Sequence, residues 1–229
     1  MVHIRAIAAD IDGTLTDERR RVSPAVLEVV ERLDVPVILA TGNALCFTRA
    51  AALLIGTCGA TVSENGAVLS TALDTEPHVL VEKRVCLRGY ELLRDHYDMR
   101  LLDFEYRKSE VVVARTFDAK EANEIVRSHY PELEVIDTGF AIHIKAASMS
   151  KGEGVRRLLE LLDWDMGMEH VAAFGDSVSD LSMLEGAGVS VAVANSPPEV
   201  KKRATYVARS PYGEGFAEGV AWLEEQGLL

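Results

Sequence analysis

Four short apolar runs, each broken off by a polar turn, constrain this chain more than any other feature. They span residues 2–9, 35–40, 170–174 and 189–194. Nearly continuous apolar runs of this length suit strands of a parallel sheet covered on both faces. Between the first two, Ser23-Pro24 reads as an N-cap with proline at the first helical position, and Val26, Leu27, Val30 and Leu33 follow at helical spacing. A second helix is expected over 44–54, ended by Gly56. The late part of the chain repeats the rhythm: Val155, Leu158, Leu159 and Leu162 form a helical stripe, and further helices start at Asp180 and near Pro198. This alternation implies an α/β fold built on a doubly wound parallel sheet.

Residues 79–149 break that rhythm. Helix-like stretches at 87–97 and 119–130, and strand-like runs at 110–116 and 140–146, point to a small inserted α+β unit with its own sheet. The expected division is a core of residues 1–78 and 150–229, with residues 79–149 inserted. At 229 residues and 48% hydrophobic, the chain can bury such a core. Its formal charge of −12 argues against a general nucleic-acid or anionic-membrane binder. An anionic small substrate stays open, because a few cations and a metal reverse the field inside one cleft. No apolar run nears the roughly 20 residues that span a bilayer. The stretch from Met1 to Asp10 is too short and too soon acidic for a signal peptide. Cys46, Cys58 and Cys86 form no close pair and read as reduced thiols of a cytoplasmic protein. A homodimer is compatible with all of this.

Polar residues cluster where the apolar runs end. Asp10-Ile11-Asp12-Gly13-Thr14 follows the first run. It is either an acidic capping turn or a carboxylate pair facing the crevice at the strand ends, where open α/β sheets bind ligands. Thr41-Gly42-Asn43 follows the second, and its hydroxyl can cap a helix or donate to a phosphoryl oxygen. Ser150-Lys151-Gly152-Glu153 fits a capping box. It sets a cation in the first helical turn, against the dipole, unless an anion lies near. Gly175-Asp176 with Asp180 follows the third run; hard oxygen ligands of this kind suit Mg²⁺. Ser177 and Asp180 also fit a capping pattern. Gly213, Gly215 and Gly219 have the wrong spacing for a dinucleotide fingerprint.

Taken in order, Asp10-Ile11-Asp12-Gly13-Thr14, Thr41, Lys151, and Gly175-Asp176 with Asp180 resemble the haloacid dehalogenase superfamily of phosphatases, with the insertion where that family's type-2 cap sits. The segments Thr41-Gly42-Asn43, Glu64-Asn65-Gly66, Ala194-Asn195 and Pro211 to Gly215 are similar to the archaeal phosphoglycolate phosphatases of that family. The resemblance implies a Rossmann-like core and a Mg²⁺-dependent hydrolysis of a small phosphorylated metabolite. It implies Asp10 as nucleophile and Asp12 as acid and base. Asp10, Asp12 (through its backbone carbonyl), Asp176 and Asp180 are then the metal site, and Thr41, Gly42, Lys151 and Asn195 bind substrate. A sugar phosphate is the alternative substrate within the family. A signalling receiver domain is the alternative outside it, though a receiver needs no cap.

For a substrate carboxylate, His143 and Lys145 are candidates, on the face of the 140–145 run opposite Phe140, Ile142 and Ile144; the plainer expectation is that both face solvent. Arg107, Lys108 and Arg115 are weaker candidates.

Overall fold

The computed structural model describes residues 3–229, so Val2 of the first apolar run lies outside the described residues. The chain opens with β1 (Ala6–Ala9), α1 (Pro24–Arg32), β2 (Val37–Ala40), α2 (Leu45–Ile55), β3 (Thr61–Ser63), β4 (Val68–Ser70) and β5 (His78–Val79). The insertion holds α3 (Lys83–Leu93), β6 (Leu101–Leu102), β7 (Val111–Val113), α4 (Ala119–His129), β8 (Leu133–Asp137) and β9 (Ile142–Ala146). The chain closes with α5 (Lys151–Leu162), β10 (Val171–Gly175), α6 (Leu181–Gly186), β11 (Val189–Ala192), α7 (Pro198–Lys201), β12 (Tyr206–Val207) and α8 (Tyr212–Glu225).

The larger sheet has the order β12-β11-β10-β1-β2-β3-β4-β5. It is parallel from β12 to β3, and β4 and β5 add an antiparallel arm. β1 lies between β2 and β10, where the winding reverses, so its carboxyl end opens onto the crevice such a switch creates. Every residue of β1 is buried because helices cover both faces. Ile7 and Ala9 pack with Val26 and Val30 of α1 and Phe216 and Val220 of α8. Ala8 packs on the other face with Val155, Leu158 and Leu159 of α5 and Met183 of α6. Phe174 and Phe216 meet with ring centroids 4.8 Å apart. Each such buried ring contributes about 1.5–3 kcal/mol.

Local signals hold at several ends. Ser23 is the N-cap of α1 with Pro24 first, but its hydroxyl has no partner among the described residues, so only the position is used. Gly56 closes α2 in the left-handed conformation and donates to Ala52 O. The glycines at 213, 215 and 219 lie on α8; a Cβ at Gly219 would come within 2.6 Å of the Phe174 ring.

In the insertion the sheet order is β6-β7-β9-β8, antiparallel throughout. α3 and α4 cover one face, where Cys86, Leu93, Ala122 and Val126 pack on Val111, Val113, Leu133, Ile142 and Ile144. Its first helix begins at Lys83, four residues before the expected start, and Cys86 of that added turn is fully buried. The strand expected over 110–116 shrinks to Val111–Val113: Ala114 N–H still reaches across to Arg100 O, but Thr116 N–H turns back to Ala114 O. β6 and β8 were not expected. The expected division between residues 78 and 79 cuts through β5, which still pairs with β4 of the large sheet.

One turn seats α5 against the sheet. Gly66 has φ +101°, and a Cβ there would lie 2.0 Å from the carbonyl oxygen of Ser150, the N-cap of α5. Gly66→Ala therefore combines a disfavoured backbone with a backbone clash, and should cost about 2–4 kcal/mol. Thermal melting should show a loss of roughly 5–15 °C; a melting temperature within a degree of wild type would contradict this packing.

Candidate active site

The site grows from the end of β1. The Asp10 N–H donates to Phe174 O at 3.0 Å, which pins the strand end of β1 to β10. Gly13, at φ +92°, lets the following turn press on β10: a Cβ there would sit 2.4 Å from Asp176 Oδ2. Across this contact the Thr14 hydroxyl stands 3.4 Å from both Asp10 Oδ2 and Asp176 Oδ1. From the start of α5, the Lys151 ammonium donates to Asp10 Oδ1 at 2.7 Å and to Asp180 Oδ1 at 2.6 Å. This is the anion that a cation in a first helical turn asks for. Asp180 is fully buried; its Oδ2 accepts from the Ser177 N–H and hydroxyl and from the Asp176 N–H. It therefore closes a capping box and faces the site at once.

One ammonium does not balance these carboxylates. Burial pushes the Asp10 carboxyl well above its ordinary value; Lys151 opposes this, while Asp180 and Asp176 add to it. Burial and the neighbouring Asp180 push Asp176 up to about 7. Burial works to lower Lys151, but the charges of Asp10 and Asp180 outweigh it, and the shift is upward. One oxygen from each of Asp10, Asp176 and Asp180 lies within 4.8 Å of the others. An oxygen-only donor set with surplus negative charge fits a hard divalent cation such as Mg²⁺.

Asp12 turns its carboxylate away from this cluster. Oδ1 accepts from Arg20 Nε at 2.7 Å, and Oδ2 from Arg20 Nη2 at 3.1 Å and Asn43 Nδ2 at 2.6 Å. Thr41 Oγ1 accepts from the Asn43 N–H and Nδ2. Asp10, Asp12, Thr41, Gly42, Lys151 and Asp176 all border one cleft of about 270 Å³. Asn195 stands a step behind it: Nδ2 donates to Gly13 O at 2.9 Å, and Oδ1 accepts from the Tyr212 N–H at 2.8 Å.

The cleft's roof is the second face of the insertion's sheet. Val112 and His143 border it, with Phe140 and Arg107 from neighbouring turns. Phe140 does not share the packed face of Ile142 and Ile144; it lies before β9 and is 65% exposed. The expectation that His143 and Lys145 face solvent is overturned, since both are 4% exposed. His143 meets Glu110 and Asn65, while Lys145 donates to Glu134 and to the carbonyls of Ala146 and Met149. Arg115 is tied outside the cleft to Asp137.

Sequence reasoning passed over Arg20, Asn43, Asn65 and Glu110. Only Asn43 and Asn65 carried a signal, as members of the quoted segments. The Glu64 carboxylate joins the two units by accepting the backbone N–H groups of Lys108, Ser109 and Glu110 at 2.9–3.2 Å.

A family model described as haloacid dehalogenase-like hydrolase matches residues 7–137 and 90–220 in two overlapping stretches. Among curated proteins, a phosphoglycolate phosphatase of Methanothrix thermoacetophila is 42% identical over 99% of this chain and 100% of its own length. One of Archaeoglobus fulgidus is 43% identical over 98% of each. A solved structure from Thermoplasma acidophilum superposes with a TM-score of 0.85 over 99% of this chain and 100% of that one; at 22% identity this speaks for the fold alone. The chain belongs to the haloacid dehalogenase-like hydrolases. Within them its activity class is that of a phosphatase, a hydrolase of phosphoric monoesters.

The raised Asp176 carboxyl gives a test of this electrostatic reading. In chelator, the folded chain holds a proton on Asp176 up to about pH 7, whereas the unfolded chain loses it near its ordinary value of about 4. The folded state binds the extra proton across that window, so this group's contribution to stability falls as pH rises through it. Wild type should therefore lose stability relative to Asp176→Asn between about pH 4 and 7, measured by urea midpoints. Parallel curves for the two proteins would contradict the reading.

Proposed function

We propose that this chain is a Mg²⁺-dependent phosphatase that hydrolyses 2-phosphoglycolate through a phospho-aspartate on Asp10. The observation that carries the reading is the buried Asp10 carboxylate held by Lys151, beside Asp12, at the floor of a cleft of about 270 Å³. That volume is below the usual range for drug-sized ligands. It suits a small phosphorylated metabolite. The names of the two curated relatives support the same substrate.

Asp10, Asp176 and Asp180 would hold the metal by their carboxylates, and Asp12 by its backbone carbonyl. Bound there, Mg²⁺ supplies positive charge that offsets repulsion between the carboxylate and the phosphate dianion. An Asp10 oxygen attacks phosphorus, and the bond from phosphorus to the ester oxygen breaks. The Asp12 carboxyl gives its proton to the departing alkoxide. Water then attacks phosphorus, loses a proton to Asp12, and frees Asp10. Lys151 and the Thr41 hydroxyl meet the non-bridging oxygens as charge builds there. In this structure Arg20 and Asn43 hold Asp12 as a carboxylate at the cleft wall, so Asp12 must leave Arg20 and take up a proton from solvent before it serves as the acid. The cap roof excludes water. The product is glycolate with inorganic phosphate, and reduced thiols support a cytoplasmic site of action.

Phosphate release from 2-phosphoglycolate, 3-phosphoglycerate, hexose phosphates and an aryl phosphate tests the substrate. The expected result is a kcat/KM preference for 2-phosphoglycolate that EDTA abolishes and Mg²⁺ restores. A preference for hexose phosphates would reassign the substrate, and activity indifferent to chelator would remove the metal. Asp10→Asn should lower kcat by about 10³-fold or more; appreciable residual turnover moves the nucleophile elsewhere. Asp12→Ala should harm alkyl esters more than the aryl ester, whose leaving group needs no proton, and equal losses would remove its acid role.

A further inference from the structure

Three cationic side chains, Arg20, Lys151 and Arg107, border the cleft. Lys151 is spent on Asp10 and Asp180. Arg20 is spent on Asp12 through both Nε and Nη2. Arg107 differs. Its side chain is 5% exposed, and its Nη1 donates to Gly42 O at 2.9 Å and to Glu110. Its Nε–H is buried and has no partner among the described residues. A buried donor left unpaired costs roughly 1–3 kcal/mol, and such a group in a native fold calls for an acceptor.

The neighbours of Arg107 leave that donor unpaired. Glu110 is fully buried and accepts also from Asn65 Nδ2 at 3.0 Å. Its Oε1 lies 3.0 Å from His143 Nδ1, and since a carboxylate only accepts, Nδ1 is the donor. The Glu110 charge is thus divided among three donors. Burial favours its neutral form, but His143, Arg107 and Asn65 outweigh it and hold the carboxyl below its ordinary value. His143 in turn directs Nε2 to the Thr138 hydroxyl, 3.3 Å away on the cleft wall. Through Gly42, Arg107 is anchored next to Thr41, and all three border the same cleft.

We propose that the Arg107 guanidinium, which borders the cleft and has a donor to spare, receives the carboxylate of the substrate, so that the cap reads the acid end of the ester while Lys151 and Thr41 hold the phosphate end. This rests on the 2-phosphoglycolate reading and names the residue that would enforce it. Lys108, Arg115 and Lys145 are not needed for this task. Arg115 and Lys145 are tied to Asp137 and Glu134, and Lys108 does not border the cleft.

The test compares kcat/KM for 2-phosphoglycolate with that for 2-hydroxyethyl phosphate, which replaces the carboxylate by an alcohol. In wild type the ratio should favour the acid. In Arg107→Met the ratio should fall roughly 10- to 100-fold, the worth of one hydrogen bond to a charged group, and chiefly through KM. The double variant Arg107→Met/Glu110→Gln removes the buried charge that the single variant leaves behind. It should show the same fall, which keeps the test readable if the single variant folds poorly. A loss shared equally by both esters would assign Arg107 to the phosphate or to packing, and overturns the proposal. A wild type that prefers the acid while both variants keep that preference overturns the subsite alone. A wild type indifferent to the carboxylate overturns the substrate reading and the subsite together.

Discussion

A single ammonium set among buried carboxylates organises this molecule. Lys151 Nζ touches Asp10 from β1 and Asp180 from the turn after β10, so three separate segments must meet within hydrogen-bond distance. Breaking one partner out of a buried ion pair is strongly destabilising because it strands the other charges. The close approaches around the site follow from this demand. Gly13 lets its turn touch Asp176, and Gly66 lets the arm touch Ser150 at the start of α5. The upward shifts of Asp10 and Asp176 mark the charge that one lysine leaves unbalanced.

The fold divides recognition between two surfaces. Strand ends of the large sheet supply the carboxylates of the cleft floor, because parallel strands flanking a switch point leave backbone and carboxylates facing one crevice. The cap sheet uses its helix-covered face for its own core and turns the other face, with His143 and Val112, over that crevice. The join between them is polar and buried: Glu64 takes three N–H groups from the insertion, and Arg107 reaches Gly42. Burial raises the Glu64 carboxyl and nearby Glu110 adds to it, while those N–H groups work against both.

Four strands of the parallel core were legible because each is a buried run ending in a polar turn, as at Ala9-Asp10 and Ala40-Thr41, whereas the short β3 and the half-exposed β12 were not expected. The misfit of Lys151 in a first helical turn was readable too, since a cation there needs an anion. The capping box at Ser150 was half right: its hydroxyl accepts from the Glu153 N–H at 3.2 Å, but the Glu153 carboxylate goes to Arg156 and Arg157. What could not be read depends on tertiary contact. Alternation along β9 separates two faces but cannot tell solvent from a cleft roof, hence the overturned expectation for His143 and Lys145. Arg20 reaches Asp12 only because the 17–22 turn folds back, with Arg20 itself at φ +61°. Short strands such as β6 carry too few residues to show a period.

The exit from the cap has a mechanical side. β9 ends at Ala146, and Lys151 begins α5 only five residues later. The turn between them is clamped, for Lys145 Nζ holds the carbonyls of Ala146 and Met149, and the Met149 N–H returns to Ala146 O. A stiff connection this short works as a lever arm. Any rotation of the roof relative to the floor would bear on the helix turn that carries the ammonium, tying the grip on Asp10 to the width of the entrance.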